Sequence, residues 1–318
     1  MTYETRLKII RAVMIGHAVA DAVGVPAEFK DRGQLSINPI TDMTGYGTYN
    51  LPRGTWSDDT SMSLAALDSL KGGNVNLHEI MDNFVSWCFG GEYNALGVTF
   101  DVGSACYDAI SRYRDSRPSD PTECGGVGAF SNGNGSLMRI HPFSLFVFFT
   151  NPIPVSQIPL IEAASALTHA HQRSRIACGI YSFILWELIK SPERTSIYRG
   201  IELAREYYKN EKELENFTRL HSNLENLTES EIKSSGYVVD TFEAVLWCVM
   251  TTKDYKSAVL KAVNLGSDTD TVAAIAGGIA GALYGIDSIP IEWLAALKRR
   301  NYIEEMCCTA AENWTRLN

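Results

Sequence analysis

Two short stretches, about two hundred residues apart, carry more carboxylate than helix formation alone calls for. One reads Ser57-Asp58-Asp59-Thr60 and the other Ser267-Asp268-Thr269-Asp270-Thr271, and each stands directly ahead of an apolar helical run. A lone serine or aspartate there would serve as an N-cap, and one acid in the first turn would complement the helix dipole. Paired carboxylates exceed that need, and two such motifs in one chain ask for a cation. Aspartate, serine and threonine oxygens suit a hard divalent ion such as Mg2+ or Mn2+. Glu28 and Asp21 add to the acidic set, because they fall at the C-terminal end of a first helix, where the dipole disfavours negative charge unless a cation or donor offsets it.

Other chemistries find less support. The segment Cys124 to Arg139 is the richest in glycine and resembles loops whose bare N–H groups cradle phosphate ahead of a helix, yet it matches neither the P-loop nor the dinucleotide pattern. His169 and His171 are two apart and point to different faces of an expected helix, which argues against histidine-bound zinc. His17 reads as a core histidine. The seven cysteines include no Cys-x-x-Cys pair and read as reduced thiols of a cytoplasmic protein.

Helices are expected to position these residues. Leu7, Ile10, Val13 and Met14 fall at helical spacing in a helix from Tyr3 to Val23, which Gly24 and Pro26 end. Residues 31–55 carry glycine and proline without periodicity and read as a long loop leading to Trp56. The helix opened by Ser57-Asp58-Asp59 buries Met62, Ala65, Ala66 and Leu70 and stops at Gly72 and Gly73. Further helices are expected over Leu77–Phe89, Cys106–Arg114, Ile158–Ile189, Thr241–Met250, from Asp254 to Val263, and from near Pro290 through Glu312. Phe143–Thr150 suits either a strand or a buried helix, and residues 190–235 read as solvated helices and loops. After Thr271 comes a run of small apolar residues in which Gly277, Gly281 and Gly285 recur on one face. Glycine inside a helix costs about 1 kcal/mol against alanine, so a close neighbour must offset it.

No alternating strand series, repeat or linker appears, so the expectation is one all-α domain over residues 1–318 whose two aspartate motifs meet in the core. With 318 residues, 45% of them hydrophobic, the chain can bury a sizeable interior. A net charge of −9 without a basic run argues against nucleic acid or an anionic membrane as partner. The N-terminus lacks a signal-peptide pattern, and no apolar stretch reads as long enough to span a bilayer.

In order along the chain stand Asp21-Ala-Val-Gly24 with Pro26 and Glu28, Gly54-Thr-Trp-Ser57-Asp58-Asp59-Thr60, Asp101-Val-Gly103, Gly133-Asn134-Gly135-Ser136-Leu-Met138-Arg139, Thr168-His169, and Gly266-Ser267-Asp268-Thr269-Asp270-Thr271. In this ordered set the chain resembles the ADP-ribosylglycohydrolase family from about Leu7 to Trp293, with residues 190–235 unmatched. The resemblance implies a compact all-α fold with a binuclear Mg2+ or Mn2+ centre in a central cleft that binds ADP-ribose. It makes Ser57, Asp58, Asp59, Asp268, Asp270 and Thr271 the metal ligands. Glu28, Asp59 and Asp101 become the catalytic acids, with the proton carried by Glu28 or Asp101. Gly103, Ser104, Gly133, Asn134, Gly135 and Ser136 would line the diphosphate, and His169 and Tyr237 would contact the nucleotide and ribose. The chain departs from the family pattern at Ala20 and Ser267, where glycine is common, and has Ser57 for a common threonine.

The implied reaction is metal-dependent removal of ADP-ribose from a modified protein, with arginine as the favoured linkage. Serine-linked or small ADP-ribose conjugates, and a non-catalytic ADP-ribose-binding module, are the alternatives. A helical diphosphate enzyme of the prenyltransferase kind is disfavoured, because Met62 stands where its aspartate-rich motif needs a third acid.

Overall fold

Helix follows helix along almost the whole chain in the computed structural model, which describes residues 1–222 and 224–315. The first, α1 (Tyr3–Gly24), leads through the short α2 (Arg32–Ile37) to α3 (Asp58–Leu70), α4 (Leu77–Gly90) and α5 (Ser104–Ser116). The middle of the chain forms α6 (His141–Thr150), α7 (Ile158–Ala166), α8 (Gln172–Lys190) and α9 (Arg194–Tyr207). The last third adds α10 (Val238–Met250), α11 (Tyr255–Asn264), α12 (Thr269–Tyr284), α13 (Ile291–Ala296) and α14 (Arg300–Thr315). Among the described residues the only sheet-like pairings are isolated backbone bridges, so the all-α expectation stands.

The core is built on α1 packed against α12. Ala12, Gly16, Ala20 and Gly24 recur every four residues on α1, and Gly277 and Gly281 do so on α12, so small ridges of both helices interlock at backbone distance. A Cβ on Gly16 would stand 2.7 Å from the carbonyl oxygen of Gly277, one on Gly281 2.0 Å from that of Ala12, and one on Gly24 2.4 Å from the Cα of Asp270. Gly285 does not join this seam: it lies beyond the end of α12 at φ 81°, with open space around it. His17 lies in the same core with its ring 4.2 Å from that of His141, and burial holds it neutral by pushing its pKa down to about 3.

The structure corrects several expectations. The segment Tyr3–Ala27 does meet the length and mean hydropathy (1.4) of a bilayer span, but 89% of that apolar window is buried inside the fold. Its apolarity is that of a central core helix. The expected single helix over 158–189 is two, α7 and α8, because the glycine loop docks on the break: Gly126 N–H donates to the Thr168 carbonyl at 3.2 Å, and Ala170 N–H donates to the Gly126 carbonyl at 3.0 Å. The last expected helix is likewise two, α13 and α14, parted where Lys298 N–H donates to the Gly54 carbonyl. A Cβ on Gly54 would lie 1.9 Å from the Ala296 carbonyl oxygen, so only glycine permits that docking. Residues 31–55 include α2, opened by a reciprocal capping box between Asp31 and Gln34. The segment 190–235 is not wholly solvated, since Phe217, Leu220, Leu224 and Ile232 are buried. The ambiguous stretch at 143–150 is buried helix.

The seam makes a direct prediction. Gly281→Ala should lower stability by about 1–3 kcal/mol through overpacking, whereas Gly72→Ala, with nothing within 4 Å of the new carbon, should stay within about 0.5 kcal/mol of the parent. Urea denaturation of the two variants compares them, and equal effects would contradict the close α1–α12 contact.

Candidate active site

Three helix ends converge beneath a cleft of about 300 Å3. Ser57 caps α3, and its hydroxyl accepts from the Asp59 amide. Asp58 and Asp59 occupy the first turn of that helix. The α1–α12 seam carries in Asp268, Asp270 and Thr271, while Glu28 follows the end of α1. Asp21 joins the two motifs. Its carboxylate, fully buried on α1, accepts from Ser57 N–H at 2.9 Å, Thr60 N–H at 3.1 Å and the Thr60 hydroxyl at 2.6 Å. Two of these donors are amides that the start of α3 leaves without partners, so a carboxylate from another helix completes the cap.

Around Asp59 the hydroxyls of Ser57 and Thr271 both donate to Oδ2, at 3.1 and 3.2 Å. Its other oxygen, Oδ1, is buried and accepts nothing, and Asp270 Oδ2 is in the same condition. A buried, unpartnered carboxylate oxygen is too costly to keep without a compensating group. One carboxylate oxygen each from Asp21, Asp59 and Asp270 lie mutually within 4.8 Å, and so do oxygens of Glu28, Asp101 and Asp270. Asp270 belongs to both groups. These are the hard oxygen donors a divalent cation takes, and the two residues with orphaned oxygens, Asp59 and Asp270, both belong to the cluster, so the residues present fit such an ion.

Mutual repulsion in a dry setting shows in the acidities. Burial first, and then facing carboxylates, hold Asp58, Asp59 and Asp270 well above the usual aspartate range. Asp268 is raised by burial against the opposing hydrogen bond from Asn134. Burial pushes Asp21 up to about 7 despite its donors, and burial with the neighbouring Asp101 pushes Glu28 up to about 9.

The cleft walls are supplied by the other motifs. Glu28, Asp58, Asp101, Asp268 and Thr271 face the opening with Gly103, Ser104, Gly133, Asn134, Gly135 and His169. Ser57, Asp59 and Asp270 lie outside this lining. Asn134 is held by its own amide, which donates to Asp268 Oδ2 at 2.6 Å and to the Thr241 hydroxyl at 2.9 Å. His169 pairs with the Thr168 hydroxyl, and burial with the nearby Arg139 lowers its pKa to about 3, so it presents a neutral ring. At Gly135 a Cβ would come within 2.8 Å of Cys106 Sγ and 2.9 Å of the His169 ring. Gly103 opens α5 without a side-chain cap, and its N–H reaches Asp58 at 3.4 Å.

Two expected contact residues stand away from the opening. Ser136 is buried behind the wall, accepting from Ser165 at 2.9 Å and lying 3.6 Å from Cys178 Sγ. Tyr237 offers its phenol oxygen to Arg173, which is itself paired with Glu213, and its backbone bridges to Gly133. In the other direction, Phe29, Cys106, Met138, Gly236 and Ser267 line the cleft without having been singled out for it. Asp21, which the sequence marks as an acid in need of a cation or donor, is given no site role by the resemblance, and the structure shows donors from Ser57 and Thr60 filling that need.

Fold and site together define a helical protein that gathers buried carboxylates on the floor of a cleft walled by bare glycine backbone. The chain belongs to the ADP-ribosylglycohydrolase family, whose sequence profile matches residues 2–317. With that membership comes the enzyme class, a hydrolase of a glycosidic bond of ADP-ribose. It is 32% identical over 306 residues to the ADP-ribosylarginine hydrolase Tri1 of Serratia proteamaculans (strain 568), covering 93% of this chain and 77% of that one. It is also 32% identical over 287 residues to the ADP-ribosyl-[dinitrogen reductase] glycohydrolase of Rhodospirillum rubrum, covering 89% of this chain and 88% of that protein. Among solved structures, one described as an ADP-ribosylglycohydrolase-related protein complex superposes with a TM-score of 0.80 at 26% identity, over 98% of this chain and 99% of the other.

The raised acidities set a pH dependence. A carboxyl group whose folded pKa exceeds its unfolded value stabilises the fold at low pH and loses that contribution as pH rises through the folded pKa. For Asp21 the loss runs from 3.8 to about 7, and for Glu28 from 4.5 to about 9. Thermal melts in EDTA should therefore fall between pH 5 and 9, and added Mn2+ or Mg2+ should raise the melting temperature more at pH 8 than at pH 5. A metal effect independent of pH would contradict ionisation of the cluster on loading.

Proposed function

We propose that this protein is a divalent-metal-dependent hydrolase that removes ADP-ribose from arginine side chains of modified proteins in the cytoplasm, acting as one catalytic domain over residues 1–318. The observation that carries the reading is the pair of buried, unpartnered oxygens on Asp59 and Asp270, set among further carboxylates at the base of a glycine-walled cleft. The arginine linkage is favoured by the 32% identity to a relative described as an ADP-ribosylarginine hydrolase.

Ser57, Asp58, Asp59, Asp268, Asp270 and Thr271 would hold two ions, Mg2+ or Mn2+. Bound there, the ions supply Lewis acidity and a water made acidic enough to attack at neutral pH. The chain's own residues do the rest. The glycine backbone at 133–135 and the uncapped start of α5 at Gly103 and Ser104 receive the diphosphate, which backbone N–H groups and the helix dipole favour. The Asn134 amide group is committed to Asp268 and Thr241 and leaves its Oδ1 as an acceptor, while the neutral His169 presents its ring toward the ribose and nucleotide. In the reaction the bond from the anomeric carbon to the guanidine nitrogen breaks and a bond from that carbon to the water oxygen forms. Glu28 takes one water proton and delivers it to the departing guanidine nitrogen, so the carboxyl group ends as it began. Tyr49 holds it for this, donating to Glu28 Oε2 at 2.6 Å, and Asp101 faces it from the opposite loop.

Incubating the protein with arginine-linked and serine-linked ADP-ribosylated substrates, under Mg2+, Mn2+ or EDTA, tests the reading. ADP-ribose release from the arginine-linked substrate should require metal and fall roughly 100-fold or more in Asp268→Ala. Binding of ADP-ribose with no release from either substrate would instead make the protein a binder.

A further inference from the structure

The cleft opening carries an exposed aromatic ring, Phe29, that the hydrolytic chemistry above does not use. Phe29 directly follows Glu28, lines the cleft and is 71% exposed. Its ring centroid is 6.4 Å from that of Tyr49, which in turn is 5.1 Å from that of Phe100, the residue before Asp101. The three rings therefore follow one another beside the two acids, Glu28 and Asp101, with Phe29 in the cleft lining and Tyr49 and Phe100 behind it.

The backbone holds this strip in place against its own preference. Phe29 has φ 64°, a left-handed conformation that a bulky side chain rarely adopts, and Asp101 at 53° and Ser267 at 66° share it. Reciprocal backbone bonds lock the turn: Phe29 N–H donates to the Ser267 carbonyl and Ser267 N–H to the Lys30 carbonyl, both at 2.8 Å. The Tyr49 loop is tied down as well. The Thr48 hydroxyl donates to the Glu28 carbonyl at 2.6 Å, and a Cβ on Gly47 would lie 2.0 Å from the Pro26 carbonyl oxygen. Strained backbone that exposes a large apolar ring at the mouth of a site points to contact with a ligand.

We infer that Phe29, backed by Tyr49 and Phe100, is the specificity wall for the leaving side chain and selects a guanidinium. This rests on the hydrolase reading of the site. With the diphosphate against the glycine loops, the group departing from the anomeric carbon emerges on the Glu28–Asp101 side, where the rings stand. A guanidinium is planar and cationic, stacks on an aromatic face, and finds carboxyl oxygens beside that face to accept its N–H groups. A serine hydroxyl has neither the plane nor the charge to use the strip.

Steady-state kinetics on Phe29→Leu and Phe29→Tyr test the assignment, because leucine keeps apolar bulk without a π face and tyrosine keeps the ring. KM for an arginine-linked ADP-ribosyl peptide should rise about 3- to 30-fold in Phe29→Leu with kcat little changed, and return to near the parent value in Phe29→Tyr. The inhibition constant of free ADP-ribose, which has no leaving side chain, should be the same in all three proteins. An unchanged arginine KM in Phe29→Leu, or an equal weakening of free ADP-ribose, would overturn the proposal. If the parent protein releases ADP-ribose from serine-linked substrate alone, the guanidinium wall fails while the hydrolase reading survives. Release from neither substrate removes both.

Discussion

Within a single turn of α1, Asp21 binds the first-turn amides of α3 and Gly24 lies against the backbone of Asp270. That one turn is the joint between the two aspartate motifs. It works because the two contacts differ in kind. The first is directional, with a buried carboxylate taking N–H and O–H donors from Ser57 and Thr60, and so sets the rotation of α3. The second is steric: backbone approaches backbone with no side chain between, and so sets the distance to α12. Together they leave Asp59 and Asp270 little freedom to move apart.

The joint forces like charges together, and the rest of the site answers that constraint. Hydroxyls of Ser57 and Thr271 converge on one oxygen of Asp59, the Asn134 amide on Asp268 and the Tyr49 phenol on Glu28. These donors offset part of the repulsion. They leave Asp59 Oδ1 and Asp270 Oδ2 bare, and it is on these two oxygens that the proposed cation site rests. The raised acidities express the same fact in protons: without positive charge, the folded state prefers its acids neutral.

Outward from the acids the cleft divides by chemistry. Gly103 and residues 133–135 offer backbone, which suits an anionic diphosphate and tolerates no added carbon at Gly135. Phe29, with Tyr49 and Phe100 behind it, offers a ring beside carboxyl groups, which suits a planar cation. The two parts are set by separate loops docked on the same helical frame. Phe29 makes no hydrogen bond to an acid, whereas Tyr49 is tied to Glu28, so the aromatic part meets the acid cluster at the Glu28 carboxyl group.

Much of this was legible in the chain, and the reasons are local. Helix type followed from apolar periodicity and caps, such as Asp254 ahead of α11. The excess of carboxylate over capping need marked Asp58-Asp59 and Asp268-Asp270, and glycine every four residues marked a tight seam at Gly277 and Gly281. What stayed hidden depends on partners distant in sequence. The break between α7 and α8 follows from Gly126 docking on Thr168 and Ala170, and the break before α14 from Gly54 docking on Ala296 and Lys298, neither of which periodicity encodes. Ser136 and Tyr237 share a motif or a loop with cleft residues yet point elsewhere, because Ser165 and Arg173 take their oxygens. The sequence by itself determined which groups carry charge, which segments are helical and where glycine allows close approach, since these are properties of residues and near neighbours. Only the tertiary structure decided that Asp21 caps a helix 36 residues away, that two oxygens remain unpartnered and that three rings line up beside Glu28, since each of these is a distance between groups that no local rule constrains.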